Sequence, residues 1–160
     1  MTIYADLLGS NWNVLPESVR RLHETGGEGS FRIERRGIAR FLPFLPPAGD
    51  KISIDLRVLR RPEDERWIRT FDGVHVVKST QRALRGAIEE RLGPMKFSMT
   101  LSVSSEALRY HLIELRILGM MVPFKWLPRV VVSELAEGPF VRVVVRIGDA
   151  FTYGGLVHPR

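Results

Sequence analysis

Apolar and polar residues alternate along most of the chain, the pattern of β-strands that bury one face. The clearest case is 95–103, where methionine, phenylalanine, leucine and valine at odd positions alternate with lysine, serine and threonine. The segment 52–58 alternates in the same way. Short turn signals separate such segments, above all Asp72-Gly73, and short turns join antiparallel neighbours. The alternation therefore predicts an antiparallel sheet.

Such segments predict about eight strands between residues 30 and 160, with 81–92 open between helix and strand. A short helix is expected near 37–45, where apolar residues precede a run of prolines. No long crossover helices separate the strands. The expected fold is α+β and mostly β: a single strongly curved antiparallel sheet, either a half-barrel or a nearly closed barrel.

The first 28 residues follow a helical period instead. Pro16 would break a helix from within, so it is expected to begin the second of two short helices, which ends at Gly26-Gly27. These helices should pack on the sheet through one apolar stripe. The stripe consists of Leu8, Trp12, Leu15, Val19 and Leu22.

Length and composition fit one domain spanning 1–160. The 160 residues are 44% hydrophobic and 26% charged, as in a globular protein. The absence of cysteine excludes disulfides, zinc–thiolate sites and a thiol nucleophile. The longest apolar run is too short to span a bilayer, and the first 20 residues do not resemble a signal peptide. A cytoplasmic location is the expectation, with no membrane span.

The net charge of +6 raises the question of nucleic-acid binding. The basic residues are spread along the chain and form neither a tail nor a helical stripe. Twenty of the 24 are arginine. This distribution favours a solvated basic surface, and no nucleic-acid partner is expected.

The segment 108–117 contains a change of phase. Its apolar residues occupy even positions up to Leu112 and odd positions afterwards. A β-bulge near Leu112 would keep all of them inward and leave Arg109 and His111 in water. Without a bulge, Arg109 and His111 would face inward and could anchor an acidic head group. Both alternatives remain open from the sequence.

The sheet's interior is the second candidate site. Met95 and Met99 are adaptable side chains on one face of their strand. They either fill a packed core or line a space that accepts a small apolar ligand. Between Pro123 and Pro128, Trp126 is expected to pack against the sheet or over the mouth of the interior.

Catalytic signatures are few. The sequence has no nucleophile elbow, phosphate loop or dinucleotide fingerprint, and its four histidines lack metal-ligand spacing. We therefore assign no catalytic residue, no metal ligand and no cofactor.

Several short motifs together resemble a bacterial family, domain of unknown function forty-one sixty-six. They are Trp12, Leu15-Pro16, Val19 to His23, Trp67 to Phe71, Gly93-Pro94, Arg109-Tyr110, Leu118-Gly119, Pro123, Trp126 to Pro128, Glu134, Phe140 and Tyr153 to Gly155. The resemblance covers nearly the whole chain, although Gly148 to Ala150 departs from it. It assigns no reaction or ligand. It implies importance for Arg109-Tyr110 and 119–128, and a relation to proteins that carry a reductase-like domain.

Three functions remain open. The leading hypothesis is a non-catalytic binding module for a small apolar or amphipathic ligand, including an acidic lipid-like one. The first alternative is an accessory domain that docks onto an NAD(P)-dependent reductase through the apolar stretch 117–126. The second alternative is a small cofactor-free enzyme that uses His111 or His23 as an acid–base group. The candidate ligand-binding residues are Arg109, His111, Tyr110, Trp126, Met95, Met99 and Trp67.

Overall fold

The computed structural model describes residues 2–160. Its helices are α1 (Ile3–Leu8) and α2 (Glu17–Thr25), with single 3-10 segments at Gly9–Val14, Gly37–Phe41 and Phe124–Trp126. Its strands are β1 (Gly27–Arg35), β2 (Gly49–Arg60), β3 (Glu65–Phe71), β4 (His75–Leu84), β5 (Ala87–Leu92), β6 (Met95–Val103), β7 (Ala107–Ile117), β8 (Met120–Met121), β9 (Val130–Glu137), β10 (Phe140–Ile147) and β11 (Phe151–Pro159).

Ten of these strands close into an antiparallel barrel. Each pairs with its neighbour in sequence, apart from β8, and β1 pairs with β11 to complete the ring. The pairing of β7 with β9 bypasses β8, which pairs with β7 alone. The prediction of a single strongly curved antiparallel sheet is confirmed, and the sheet is a closed barrel.

The barrel has more strands than the eight or so expected, chiefly because of 81–92. This segment holds the end of β4 and all of β5, joined by a tight turn at Arg85-Gly86. Both turn residues have positive φ angles, 50° and 80°. An arginine at such a position gives no turn signal, so the hairpin was ambiguous in the sequence.

The N-terminal helices close one end of the barrel, which we call the closed end. Their predicted stripe faces inward: Leu15, Val19 and Leu22 are almost completely buried. Helix α2 begins after Pro16 and ends at Gly26, whose φ of 74° suits a glycine. The two-helix prediction for this region agrees with the structure.

The opposite, open end carries the 36–48 segment, the 118–129 segment and three short turns. Backbone hydrogen bonds connect these parts around the mouth of the barrel. Arg36 N donates to Ala150 O (2.7 Å), Gly148 N to Arg129 O (2.8 Å) and Leu118 N to Pro94 O (2.9 Å). The helix expected near 37–45 is shorter, a 3-10 turn over Gly37–Phe41, because prolines stop it soon afterwards.

A β-bulge interrupts β7 where its apolar phase changes. Ser98 pairs with Glu114, but Met99 pairs with Leu112, so Ile113 is an extra residue with no partner on β6. The bulge lets Leu108 and Tyr110 before it and Leu115 after it all be buried. The bulge alternative is therefore correct for Arg109 and His111, but its expectation that all apolar residues stay inward is wrong for Ile113 (52% exposed) and Ile117 (40% exposed).

Candidate ligand cavity and buried polar cluster

The barrel interior contains a cavity of about 120 Å³. Its walls are mainly apolar, because inward positions alternate along every strand. The apolar lining includes Phe31, Ile54, Leu56, Phe71, Val77, Leu92, Phe97, Met99, Val132, Val143, Val145 and Phe151. Leu45 and Pro46, from the segment that crosses the open end, close the cavity on that side.

Arg69 is the basic residue of the cavity wall. It shares the inner face of β3 with Trp67 and Phe71, and its guanidinium lies 5.5 Å from the centre of the Trp67 ring. It donates to Ser79 Oγ (2.8 Å) and to Glu90 Oε1 (3.4 Å). Burial alone lowers the pKa of a guanidinium, but Tyr153 and Glu90 raise the pKa of Arg69 above its ordinary value. Arg69 is therefore a charged, partly satisfied donor inside an apolar wall.

A buried polar cluster joins the cavity to the closed end. Glu134 on β9 is its centre: Oε2 lies 2.6 Å from His23 Nε2, and Oε1 accepts from Tyr110 Oη at 3.0 Å. Tyr4 Oη, 3.3 Å from Tyr110 Oη, donates to Gln81 Oε1 at 2.8 Å. These bonds connect both N-terminal helices to strands on opposite sides of the barrel.

The tyrosines of this cluster are held in the neutral form. Burial, and then the negative charge of Glu134, raises the pKa of Tyr4 and Tyr110 well above the ordinary value of a phenol. Both hydroxyl groups can therefore donate hydrogen bonds at any physiological pH. Two ring nitrogens nearby, His23 Nδ1 and Trp67 Nε1, are buried without a hydrogen-bond partner among residues 2–160.

Three of the predicted ligand-binding residues do line the cavity: Trp67, Met99 and Tyr110. Met95 shares an inner face with Met99 but packs at the edge of the core, nearer the open end. For Met95 and Met99 the alternation of the strand predicted this inward face, and Tyr110 is inward as the bulge alternative required.

The inward alternative for Arg109 and His111 is wrong. The bulge at Ile113 brings Leu108 and Tyr110 inside, so the residues between and after them face solvent. His111 Nε2 lies 2.8 Å from Ser102 Oγ on the outer wall. Neither side chain can anchor a ligand within the barrel.

The expectation for Trp126 is also wrong. Its side chain is 70% exposed, and its ring meets the ammonium of Lys125 at 5.4 Å instead of the sheet. Pro123 and Pro128 confine the segment to a 3-10 turn that projects from the barrel's open end. Proline spacing predicted the absence of a longer helix but not the direction of the ring.

The sequence reasoning missed Arg69, Glu90 and Glu134 as interior polar residues. A signal for Arg69 was present. It stands midway between Trp67 and Phe71 on an alternating strand and must share their face. Glu134 follows Val130 and Val132 in the same manner. A charged residue in phase with buried neighbours is the sequence signature of an interior polar group.

The side chain of Arg35 holds the 36–48 segment over the open mouth by hydrogen bonds. Arg35, the last residue of β1, donates to the backbone carbonyls of Ala39 (2.8 Å), Leu42 (2.7 Å) and Pro46 (3.3 Å). Phe44 lies against Gly93 in the β5–β6 turn, where a Cβ would meet the ring at 3.1 Å. The 36–48 segment, which we call the strap, thus crosses the mouth and packs against the opposite side of the barrel.

Comparisons with protein families, curated proteins and solved structures found no match. The resemblance to the forty-one sixty-six family stays a prediction. Within 2–160, no group of three or more His, Asp or Glu side chains is arranged to hold a metal ion. None of the helices in that range is long and apolar enough to cross a membrane.

Proposed function

We propose that this protein binds a small, largely apolar molecule that carries one hydrogen-bond-accepting group, and holds it inside the barrel. The observation that supports this most directly is the apolar cavity into which Arg69 projects. A purely structural core would gain stability from an apolar side chain at that position, since a buried ion pair rarely exceeds the stability of hydrophobic packing.

The size of the cavity limits the ligand. An apolar cavity of roughly 150 Å³ accommodates benzene in other proteins. The space of about 120 Å³ here suits a small ring or a short alkyl chain. A longer ligand would have to displace Leu45 and Pro46 and extend through the mouth.

The donors at the cavity favour an accepting group on the ligand. A guanidinium has five N–H groups, and Ser79, Glu90 and the neighbouring Tyr153 hydroxyl account for at most three of them. Trp67 Nε1 adds a buried donor without an acceptor. Because Glu90 already balances the charge of Arg69, a neutral carbonyl fits better than a carboxylate. This favours a ketone, ester or amide over the acidic lipid considered from sequence.

The two alternatives gain different support. Exposed apolar side chains at the open end favour a docking surface of some kind, although nothing about them singles out a reductase. The enzyme alternative has no such support: His111 lies on the outer wall, and His23 is fully buried behind Glu134.

Trp67 offers a direct assay for binding. In the variant Trp12→Phe/Trp126→Phe it is the only tryptophan, because the chain has three. We would titrate this protein with short methyl ketones and follow its fluorescence. The alkane of the same chain length is the control for the accepting group, and the fatty acid of that length tests the acidic alternative.

Arginine variants then locate the site. Arg69→Met should weaken ketone binding at least tenfold, the equivalent of about 1.4 kcal/mol, while leaving alkane binding unchanged. The double variant Arg69→Met/Glu90→Gln avoids leaving the Glu90 carboxylate unpaired. It should weaken ketone binding to the same extent as Arg69→Met. Arg109→Met, on the outer wall, is the matched control. Absence of any saturable signal would refute the proposal, and equal binding by the Arg69 and Arg109 variants would remove Arg69 from the site.

A further inference from the structure

Exposed apolar side chains are concentrated at the open end of the barrel. The most exposed are Phe124 (89%), Phe41 (82%), Val74 (82%), Ile38 (75%), Leu118 (75%), Met120 (70%) and Trp126 (70%). We call this set the apolar rim. All of its members except Val74, in the β3–β4 turn, belong to two segments, 36–48 and 118–129. Exposed apolar groups gathered in this way mark a surface that contacts another apolar phase.

The two segments are joined into one face. The strap reaches the β5–β6 turn, where Phe44 lies against Gly93. The adjacent Pro94 accepts a hydrogen bond from Leu118 at the start of the second segment. On the other side, Arg36 bonds to the β10–β11 turn, which in turn bonds to Arg129. The rim therefore surrounds the mouth as a continuous ring.

The basic charge of the rim complements an anionic surface. Its two segments contain Arg36, Arg40, Lys125 and Arg129 and no acidic residue. Lys125 and Arg129 have no ion-pair partner within the described part of the chain.

The other turns do not reverse this balance. The other open-end turns add Asp72 and Asp149, and at the open ends of β1 and β2 Glu34 pairs with Arg36 while Asp50 pairs with Arg32. At the closed end the turns at 61–64, 85–86 and 104–106 contain more acidic than basic residues. The unpaired positive charge of the open end therefore comes from Arg40, Lys125 and Arg129, which lie in the same two segments as most of the exposed apolar side chains.

The barrel wall is also discontinuous beneath the rim. Strands β7 and β9 pair only over Ala107–Tyr110, near the closed end. Towards the open end β7 pairs instead with the two-residue β8. The 118–129 segment spans the resulting gap, so the most exposed side chains lie beside a weak point in the wall.

We propose that the apolar rim docks the open end of the barrel onto an anionic lipid surface. Aromatic rings such as Phe124 and Trp126 would enter the interfacial region, where tryptophan is favoured. Lys125 and Arg129 would remain at the level of the head groups, each contributing about 1 kcal/mol. The docked mouth would face the apolar phase from which a ligand could enter.

A bilayer suits this surface better than a protein partner. Stable protein interfaces need a close-packed, complementary centre, and lysine is depleted there. The rim side chains are instead 70% or more exposed, and Phe124 is almost entirely exposed, so they do not form a close-packed centre. A fluid lipid phase accepts separate protrusions without a complementary pocket, as it does for other interfacial anchors.

The proposal can be tested without any ligand, so its outcome is independent of the binding function proposed above. Wild-type protein would be sedimented with vesicles of phosphatidylcholine, alone and with about one third phosphatidylserine. We expect binding to the anionic vesicles that weakens strongly as salt is raised. The pair Phe124→Asp/Trp126→Asp, and separately Lys125→Glu/Arg129→Glu, should each reduce it about tenfold.

The matched control is Leu59→Asp/Leu84→Asp, which places the same charges on exposed leucines near the closed end. It should bind vesicles like wild type, and circular dichroism should show all variants folded. Failure of wild-type protein to bind anionic vesicles, or equal loss in rim and control variants, would overturn the proposal. So would concentration-dependent self-association that the rim variants abolish while vesicle binding stays absent, since the rim would then be a protein interface.

Discussion

His23 Nε2 lies 2.6 Å from Glu134 Oε2, although 111 residues separate them in the chain. The contact joins α2 to β9 and therefore fastens the helical closure to the barrel wall. Tyr110 donates to the other oxygen of the same carboxylate. Glu134 is thus a shared acceptor for two groups that lie in a water-poor interior.

Replacing Glu134 with alanine should be among the most destabilising single changes. It leaves His23 and the Tyr110 hydroxyl without their acceptor, and breaking a buried pair costs about 3–5 kcal/mol. Urea unfolding followed by circular dichroism would measure this cost. The exposed Glu63→Ala is the control and should stay within about 0.5 kcal/mol of wild type. A comparable, small effect of both substitutions would show that the cluster does not hold the helices.

The tyrosines predict how stability changes in alkali. All three have a raised pKa, first because they are buried. Below pH 10 they are neutral in both states, so the unfolded state gains nothing from ionisation. Above about pH 10 the unfolded tyrosines ionise first, and stability should fall by about 3 kcal/mol per pH unit through Tyr4 and Tyr110, whose pKa is raised most, with a smaller contribution from Tyr153.

Phenolate absorbance would check this expectation. It should stay absent from the folded protein above pH 10 and rise together with unfolding measured by circular dichroism. A phenolate signal that titrates near pH 10 in folded protein would contradict the buried positions of Tyr4, Tyr110 and Tyr153.

Deleting Ile113 should be tolerated. It is the residue without a partner on β6, so its removal makes β7 a regular strand and keeps Leu108, Tyr110 and Leu115 inward. We expect a folded protein within about 2 kcal/mol of wild type by thermal unfolding. Deletion of the exposed Thr100 on β6 is the control: it enlarges the mismatch and should prevent folding. The reverse order of effects would show that the bulge lies elsewhere.

Arg35 should control the mobility of the strap. Replacing it with methionine removes three hydrogen bonds to backbone carbonyls of 36–48. Hydrogen exchange in that segment should become at least several-fold faster, while exchange in β4 and β5 stays unchanged. Arg36→Met, at a neighbouring exposed arginine, provides the comparison. Equal exchange in both variants would mean that Phe44 and the prolines hold the strap without Arg35.

Much of the fold was predictable because local periodicity and burial agree. The stripe through Leu15, Val19 and Leu22 predicted a helical face, and that face closes the barrel. The alternation in 52–58 and 95–103 predicted β2 and β6 with their inner faces. Closure of the sheet was one of two options, because it depends on β1 meeting β11, a contact between distant segments.

The site was less predictable because it too depends on contacts between distant segments. Met99 was predicted because its phase puts it inside, whereas the phase of Tyr110 depended on a bulge that the sequence left open. The partnership of His23 with Glu134, or of Arg69 with Glu90, depends on which strands become neighbours across the interior. The expectation for Trp126 was wrong because burial of a tryptophan is only a statistical preference. Here two prolines and a short connection turn the ring outward.

The closure of the ring by β1 and β11 has a consequence for how the chain folds. Until β11 is in place, β1 and β10 each have an edge of unpaired backbone groups. Strand β10 contains three consecutive valines and is strongly β-prone, so its open edge would pair readily with another copy. Pairing between the first and last strands also has a large entropic cost, which slows folding. During synthesis the barrel cannot close until β11, the last of its ten strands, has been made. The molecule is most prone to aggregation in the interval before that closure.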